Sequence, residues 1–182
     1  HITKSSPMGS IAHAFNPLAV ALGAEGTFVA RTVDVFAKHL PVVLKRAAEH
    51  RGTSFVEIYQ NCIVYNEHAW DHVTDNQTRE ENSLLLEHGK PMVFGKNRNR
   101  GIRLKGLRPE VVTIGENGVT EADLLVHDEG DETLAYMLSR MEPPSFPIPL
   151  GIFRSVERST YADGVLGQVK EAVQKRGEGD LS

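Results

Sequence analysis

Cysteine, histidine and clustered charge are the residue types here that could do chemistry. The chain has one cysteine, Cys62, in the context Tyr59-Gln60-Asn61-Cys62-Ile63-Val64. One cysteine excludes an internal disulfide framework and any all-cysteine metal site built within one copy. Taken alone, it reads as a small buried apolar residue. Eight histidines are scattered along the chain. His68 and His72 stand four apart and would share a helix face, but a zinc site needs a third ligand and a closed geometry, so they read as surface histidines. His127-Asp128-Glu129 follows the apolar run Leu124–Val126. Polar residues at a strand's carboxyl end can line a site, and they equally serve as a plain strand-to-loop exit, which is the reading adopted here. Lys96-Asn97-Arg98-Asn99-Arg100, with Arg103 and Lys105, is the one concentrated basic stretch. It would suit a phosphate or an acidic partner, and reads first as a solvated hairpin tip carrying gatekeeping charge. The nucleophile elbow G-x-S-x-G, the phosphate loop G-x-x-x-x-G-K, the dinucleotide fingerprint G-x-G-x-x-G and the zinc motif H-E-x-x-H are all missing.

The elements that must position these residues begin after a polar, turn-rich opening. Asn16-Pro17 is a helix start, an N-cap followed by a proline whose missing N–H is harmless at the first helical position. The helix should stop near Gly23. Thr27–Arg31 is a short strand. Phe36 to Arg51 forms a longer helix, with Leu40, Val43, Leu44, Ala47 and Ala48 on one face of a 3.6-residue period. Pro41 must lie in its first turn, and Gly52 sits where a left-handed cap belongs. Ser54–Tyr59 is β-branched and aromatic, hence a strand. Residues 17–60 thus read α-β-α-β, and the strand–helix–strand part has the order and length of a right-handed crossover in a parallel sheet.

Beyond residue 60 the texture is more polar. Ile102–Leu104, Val111–Ile114 and Leu124–Val126 are short strand candidates, and Thr133–Met141 is an amphipathic helix. Pro143–Pro149 is expected to be an extended, irregular crossing. The tail from Lys170 is expected to fray. A soft boundary falls near residue 66, giving segments 1–66 and 67–182. The formal charge of −4 argues against a general nucleic-acid binder. No stretch approaches the roughly 20 apolar residues of a membrane span and no signal peptide is visible, so no membrane partner and a cytoplasmic location are expected. The chain opens at His1 rather than Met, so either a tag or processing has removed its beginning or it is the C-terminal part of something longer.

Several long, ordered stretches resemble one family. Lys4-Ser5-Ser6-Pro7-Met8-Gly9, Phe15 to Ala24, Thr27 to Arg31, Ala48 to Cys62, Leu86 to Pro91, Leu124 to Asp128, Leu138 to Arg140 and Pro149 to Arg154 are similar to the β subunit of 2-oxoacid:ferredoxin oxidoreductases, nearest the 2-oxoglutarate type of actinobacteria. The resemblance implies an α/β fold: residues 1–66 as the second half of a thiamine-diphosphate-binding parallel-sheet domain, and 67–182 as a small α+β C-terminal extension. It implies oxidative decarboxylation of a 2-oxoacid to acyl-coenzyme A, with electrons passed to ferredoxin and an α subunit as partner. Thiamine diphosphate, magnesium and a [4Fe-4S] cluster are the implied cofactors, and the family's Gly-Asp-Gly-Asp motif and C-x-x-C pair would lie upstream of His1. Gln60-Asn61-Cys62 matches the Gln-x-Cys motif that supplies a cluster ligand, with Asn61 where many relatives carry proline. Cys62 is therefore the expected metal ligand. Lys4, Ser6 and Pro7 match the loop that passes the thiamine cofactor. No residue here is assigned proton transfer, and the chain alone is expected to be inactive. Alternatives are a non-catalytic assembly module, a pyruvate-type specificity, or a thiamine enzyme without iron–sulfur chemistry, against which Cys62 speaks.

Overall fold

The computed structural model describes residues 7–9, 11, 13–64 and 67–179. Helix α1 spans Pro17–Gly23; the Asn16 side chain accepts from the Ala19 N–H at 3.0 Å, as the Asn-Pro start requires. The same side chain donates to the Ser139 carbonyl at 2.8 Å, fixing α1 to a later helix. Strand β1 (Phe28–Val33), helix α2 (His39–Glu49) and strand β2 (Ser54–Tyr59) follow, and β1 and β2 pair in parallel, Phe28 opposite Ser54 through Val33 opposite Tyr59. The expected crossover is present.

After two single-turn helices, α3 (Asp71–Thr74) and α4 (Arg79–Asn82), come β3 (Ser83–Leu85), β4 (Val93–Phe94), β5 (Arg100–Lys105) and β6 (Arg108–Thr113). Helix α5 (Glu132–Ser139), strand β7 (Ile148–Ser155) and helix α6 (Tyr161–Arg176) complete the order. The main sheet runs β2-β1-β7-β3; β4, β5 and β6 form a separate antiparallel sheet. The four-stranded sheet therefore draws β1 and β2 from before residue 66 and β3 and β7 from after it.

Strand β7 is antiparallel to β1 and parallel to β3, so the sheet is mixed. This corrects the expectation that 143–149 is irregular throughout, because Ile148 and Pro149 already belong to β7. Proline is tolerated there because β1 pairs with β7 only from Gly151 onward, so Pro149 has a neighbour, Leu84, on one side only. Alternation sends Phe28, Ala30 and Ile152 to one face, beneath Val43 of α2. Val29, Leu84 and Phe153 face the other way, into the main core with Leu18 and Leu22 of α1 and Leu138 of α5. The result is three layers, helix–sheet–helix.

Three further expectations change. Leu44 and Ala48 of α2, expected on the sheet, are exposed; among the described residues β2 is the sheet's edge, and no strand beyond it meets a wider helix face. Leu124–Val126 forms one isolated bridge, Val126 with Pro91, rather than a strand. The tail stays helical to Arg176, started by the Thr160 side chain, which accepts from the Asp163 N–H at 3.1 Å. No helix among the described residues is long and apolar enough to cross a membrane.

Candidate functional site

Ligands of open α/β sheets bind beyond the carboxyl ends of the strands. At that end of β1 and β2, the parallel register sets Arg31 directly opposite Glu57. Arginine in the strand Phe28–Val33, where Thr32 is the one other polar residue, faces inward, and a buried charge needs a partner. Arg31 Nε donates to Glu57 Oε2 at 2.6 Å, with side-chain exposures of only 5% and 16%. Two residues on, Tyr59 shares the Glu57 face. The Arg31 guanidinium carbon lies 4.8 Å from the Tyr59 ring centroid and 5.5 Å from that of Phe153, a sandwich that locks the arginine's orientation. Tyr59 in turn stacks on Trp70, with centroids 3.6 Å apart and planes 12° apart. Burial pushes the Tyr59 hydroxyl up to about 12, with Arg31 opposing and Glu57 adding to the rise. It is a neutral donor at physiological pH.

The loop from β2 to α3 brings Trp70 back. The Asn61 side chain accepts from the Trp70 N–H at 2.8 Å and donates to Asp71 Oδ1 at 2.9 Å. Asp71 also pairs with His68 Nδ1 at 2.7 Å. His72 sits beside Trp70, and burial holds it below the usual histidine value, with Asp71 opposing. Together these walls and residues from the α1 and β7 approaches enclose a cavity of about 470 Å³, lined by Phe15, Arg31, Tyr59, Trp70, His72 and Met141 among others.

Cys62 lies three residues past β2, next to the Asn61 clamp, and is exposed. Among the described residues β2 borders the sheet, so Cys62 follows an edge strand. Pro7 is exposed and outside the cavity lining. Lys4 and Ser6 lie outside the described residues. A four-thiolate iron–sulfur site cannot be assembled from one copy with one cysteine, and no group of three or more His, Cys, Asp or Glu among the described residues could hold a metal. The residues present do not by themselves fit the cluster.

The other sequence candidates take structural roles. His127 is buried and donates from Nε2 to the Ile152 carbonyl at 2.7 Å; burial lowers its pKa, that hydrogen bond and Glu129 opposing. Glu129 takes a bidentate pair from Arg46 at 2.8 and 2.7 Å, tying α2 to the loop before α5. In the basic run, Arg103 pairs with Glu110 across the β5–β6 hairpin, and Arg100 lies over Phe94 and 3.5 Å from Glu81. Arg31, Glu57, Tyr59 and Trp70 were not singled out from sequence; the available signal was a charge inside a β-branched, apolar strand.

No protein-family model matches the chain. The chain is 40% identical over 174 residues to the 2-oxoglutarate oxidoreductase subunit KorB of Mycobacterium tuberculosis, covering 94% of this chain and 46% of that protein. It is 38% identical over 64 residues to subunit beta of 2-oxoacid:ferredoxin oxidoreductase 1 of Aeropyrum pernix, 35% of this chain and 20% of that one. A solved 2-oxoglutarate:ferredoxin oxidoreductase from Magnetococcus marinus, with 2-oxoglutarate, coenzyme A and succinyl-CoA bound, superposes with a TM-score of 0.58 at 20% identity, over 98% of this chain and 44% of that chain. The shared fold is thus a mixed α/β arrangement around a sheet with parallel pairs. The chain is thus similar to KorB along 94% of its own length and to a 2-oxoacid:ferredoxin oxidoreductase subunit beta along about a third of it. It spans less than half the length of the KorB subunit it matches.

Proposed function

We propose that the chain is part of the β subunit of a 2-oxoglutarate:ferredoxin oxidoreductase, acting with an α subunit to convert the 2-oxoacid and coenzyme A to an acyl-coenzyme A while ferredoxin takes the electrons. The observation that carries this is the 40% identity to KorB along 94% of the chain. In this reading Cys62 gives one thiolate to a [4Fe-4S] cluster whose other ligands lie outside this chain, as do most of the groups for thiamine diphosphate and magnesium. The segment Lys4, Ser6 and Pro7 would pass the thiamine cofactor. The parts 1–66 and 67–182 would be the second half of the cofactor domain and its extension. Support for a covered surface around the thiol comes from Ile63 and Val64, which are 80% and 71% exposed beside Cys62, an apolar composition typical of an interface core.

The test uses the complete β subunit assembled with its α partner. Ferredoxin reduction should depend on both 2-oxoglutarate and coenzyme A, with pyruvate a poor substitute. Cys62→Ser should lower iron and sulfide content and ferredoxin reduction while thiamine diphosphate binding survives, because a serine oxygen is a harder, poorer ligand than a thiolate. Unchanged iron and sulfide in that variant would remove Cys62 from the cluster. An assembled complex with no 2-oxoacid-dependent reduction would leave the assembly-module reading standing.

A further inference from the structure

The cavity beside Trp70 holds a guanidinium that the protein has only half used. Arg31 is 4% exposed, and of its five N–H donors only Nε–H has an acceptor among the described residues, Glu57 Oε2. Its two Nη nitrogens make no hydrogen bond to the described residues, yet Arg31 lines the cavity and neither nitrogen is sealed from it. The Tyr59–Phe153 sandwich prevents the fork from swinging elsewhere. Tyr59 and Trp70 line the same cavity, and among the described residues neither the Tyr59 hydroxyl nor the Trp70 indole N–H has an acceptor. Around these donors the walls are apolar: Phe15, Pro17, Met141 and Ile148. Ligand sites have this make-up, a concave apolar surface of several hundred Å³ with a few convergent polar groups.

We propose that this cavity binds a small organic acid, its carboxylate seated on the Nη edge of Arg31 and on the Tyr59 hydroxyl, its apolar body against Phe15, Trp70 and Met141. Two parallel N–H···O bonds from one guanidinium edge match a carboxylate's two oxygens. Glu57 occupies the opposite, Nε side of the guanidinium, so it orients the fork without filling it. It also neutralises the arginine, and Glu142 lies in the cavity lining. The site should therefore favour acids whose apolar body adds contact over short polar ones, with modest affinity. No residue of this site depends on the iron–sulfur or thiamine assignments.

Trp70 is the chain's one tryptophan and lies in the cavity wall, so its fluorescence reports occupancy directly. The full chain is titrated with 3-phenylpropionate and with its neutral analogue 3-phenylpropionamide. Saturable change with the acid, with a Kd in the range of about 1 mM or below, and at least about tenfold weaker response to the amide, is expected. Tyr59→Phe, which keeps the stack and removes one donor, should weaken acid binding several-fold and the amide, whose neutral carbonyl oxygen accepts the same bond more weakly, by less. The paired variant Arg31→Gln/Glu57→Gln, which keeps the site neutral overall, should abolish the preference for acid over amide. Equal binding of acid and amide, or no saturable change with the acid while Trp70 fluorescence still reports a folded chain, overturns the proposal. So does a preference for acid that survives the paired variant.

Discussion

Gly151 in β7 tests whether the mixed sheet is assembled as described. Its φ is +132°, and a Cβ built there would stand 2.9 Å from the Leu86 carbonyl oxygen and 3.0 Å from Leu86 Cβ. Leu86 is held in place by its own N–H, which donates to the Leu150 carbonyl at 2.8 Å, so it cannot move aside without breaking the β3–β7 junction. Gly151→Ala therefore meets two penalties. Backbone strain at a glycine-only conformation is about 1–3 kcal/mol. Overpacking against an immobile neighbour adds about 1–3 kcal/mol. Gly89→Ala is the control, since its φ of +74° imposes left-handed strain but nothing lies within 4 Å of its Cβ; it should lose only about 1–2 kcal/mol. For a chain of this length each kcal/mol lowers Tm by about 2–4 °C. Thermal unfolding followed by circular dichroism should show Gly151→Ala falling roughly twice as far as Gly89→Ala or more. Equal losses in the two variants would mean that β7 does not approach Leu86 as described, and the strand order would be wrong.

Tyr59 should titrate near pH 12 in the native protein, read by absorbance of the phenolate, against about 10 when unfolded. Its folded value is raised, so its contribution is complete below pH 10 and is lost as pH rises through 12, a loss of up to about 3 kcal/mol that Tyr59→Phe removes. His39, His72 and His127 are all depressed, chiefly by burial, so each contributes stability that is present above about pH 6.5 and is lost as pH falls through its folded value. Urea midpoints should decline below that pH, and His127→Gln, which can still donate to the Ile152 carbonyl, should flatten the decline; an unchanged slope would exclude His127 as a contributor. Leu138→Ala empties a fully buried position of α5 in the main core and should destabilise by about 2–5 kcal/mol in chemical denaturation.

The sequence made the local part of the fold legible. Asn16-Pro17 announces α1 because capping is decided by neighbouring residues, and the β1-α2-β2 crossover follows from period and length. Strand β7 was hidden because its evidence is non-local. Pro149 argues against a strand until the pairing partners are known, and those partners lie over a hundred residues away for β1 and over sixty for β3. The face of α2 was misjudged at Leu44 for the same reason, since periodicity tells which residues share a stripe but not how wide a surface awaits it. Cys62 stood out by residue type and motif context. Arg31, Glu57, Tyr59 and Trp70 did not, because their meeting depends on the strand register and on a loop folding back.

That loop links the two chemical features at the end of β2. Alternation gives Glu57 and Tyr59 one face and leaves Ile58 on the other, 42% exposed. An extended chain would then carry Trp70 far from Tyr59. The Asn61 side chain prevents this by holding the Trp70 N–H and the Asp71 carboxylate together, closing a nine-residue excursion onto its own start. A proline at this position would offer neither the side-chain carbonyl oxygen nor the amide donor of that clamp. Asn61 thus does two jobs with one side chain: it seats Trp70 as the cavity's outer wall, and it fixes the backbone immediately before the exposed Cys62. Asn61→Ala should therefore loosen both at once, lowering Trp70 anisotropy and speeding thiol labelling of Cys62 with a small alkylating reagent. Asn61→Asp keeps the acceptor for the Trp70 N–H but sets a second carboxylate against Asp71, and should fall between the wild type and Asn61→Ala. Anisotropy and labelling that change independently of each other would break the link between the cavity wall and the cysteine turn.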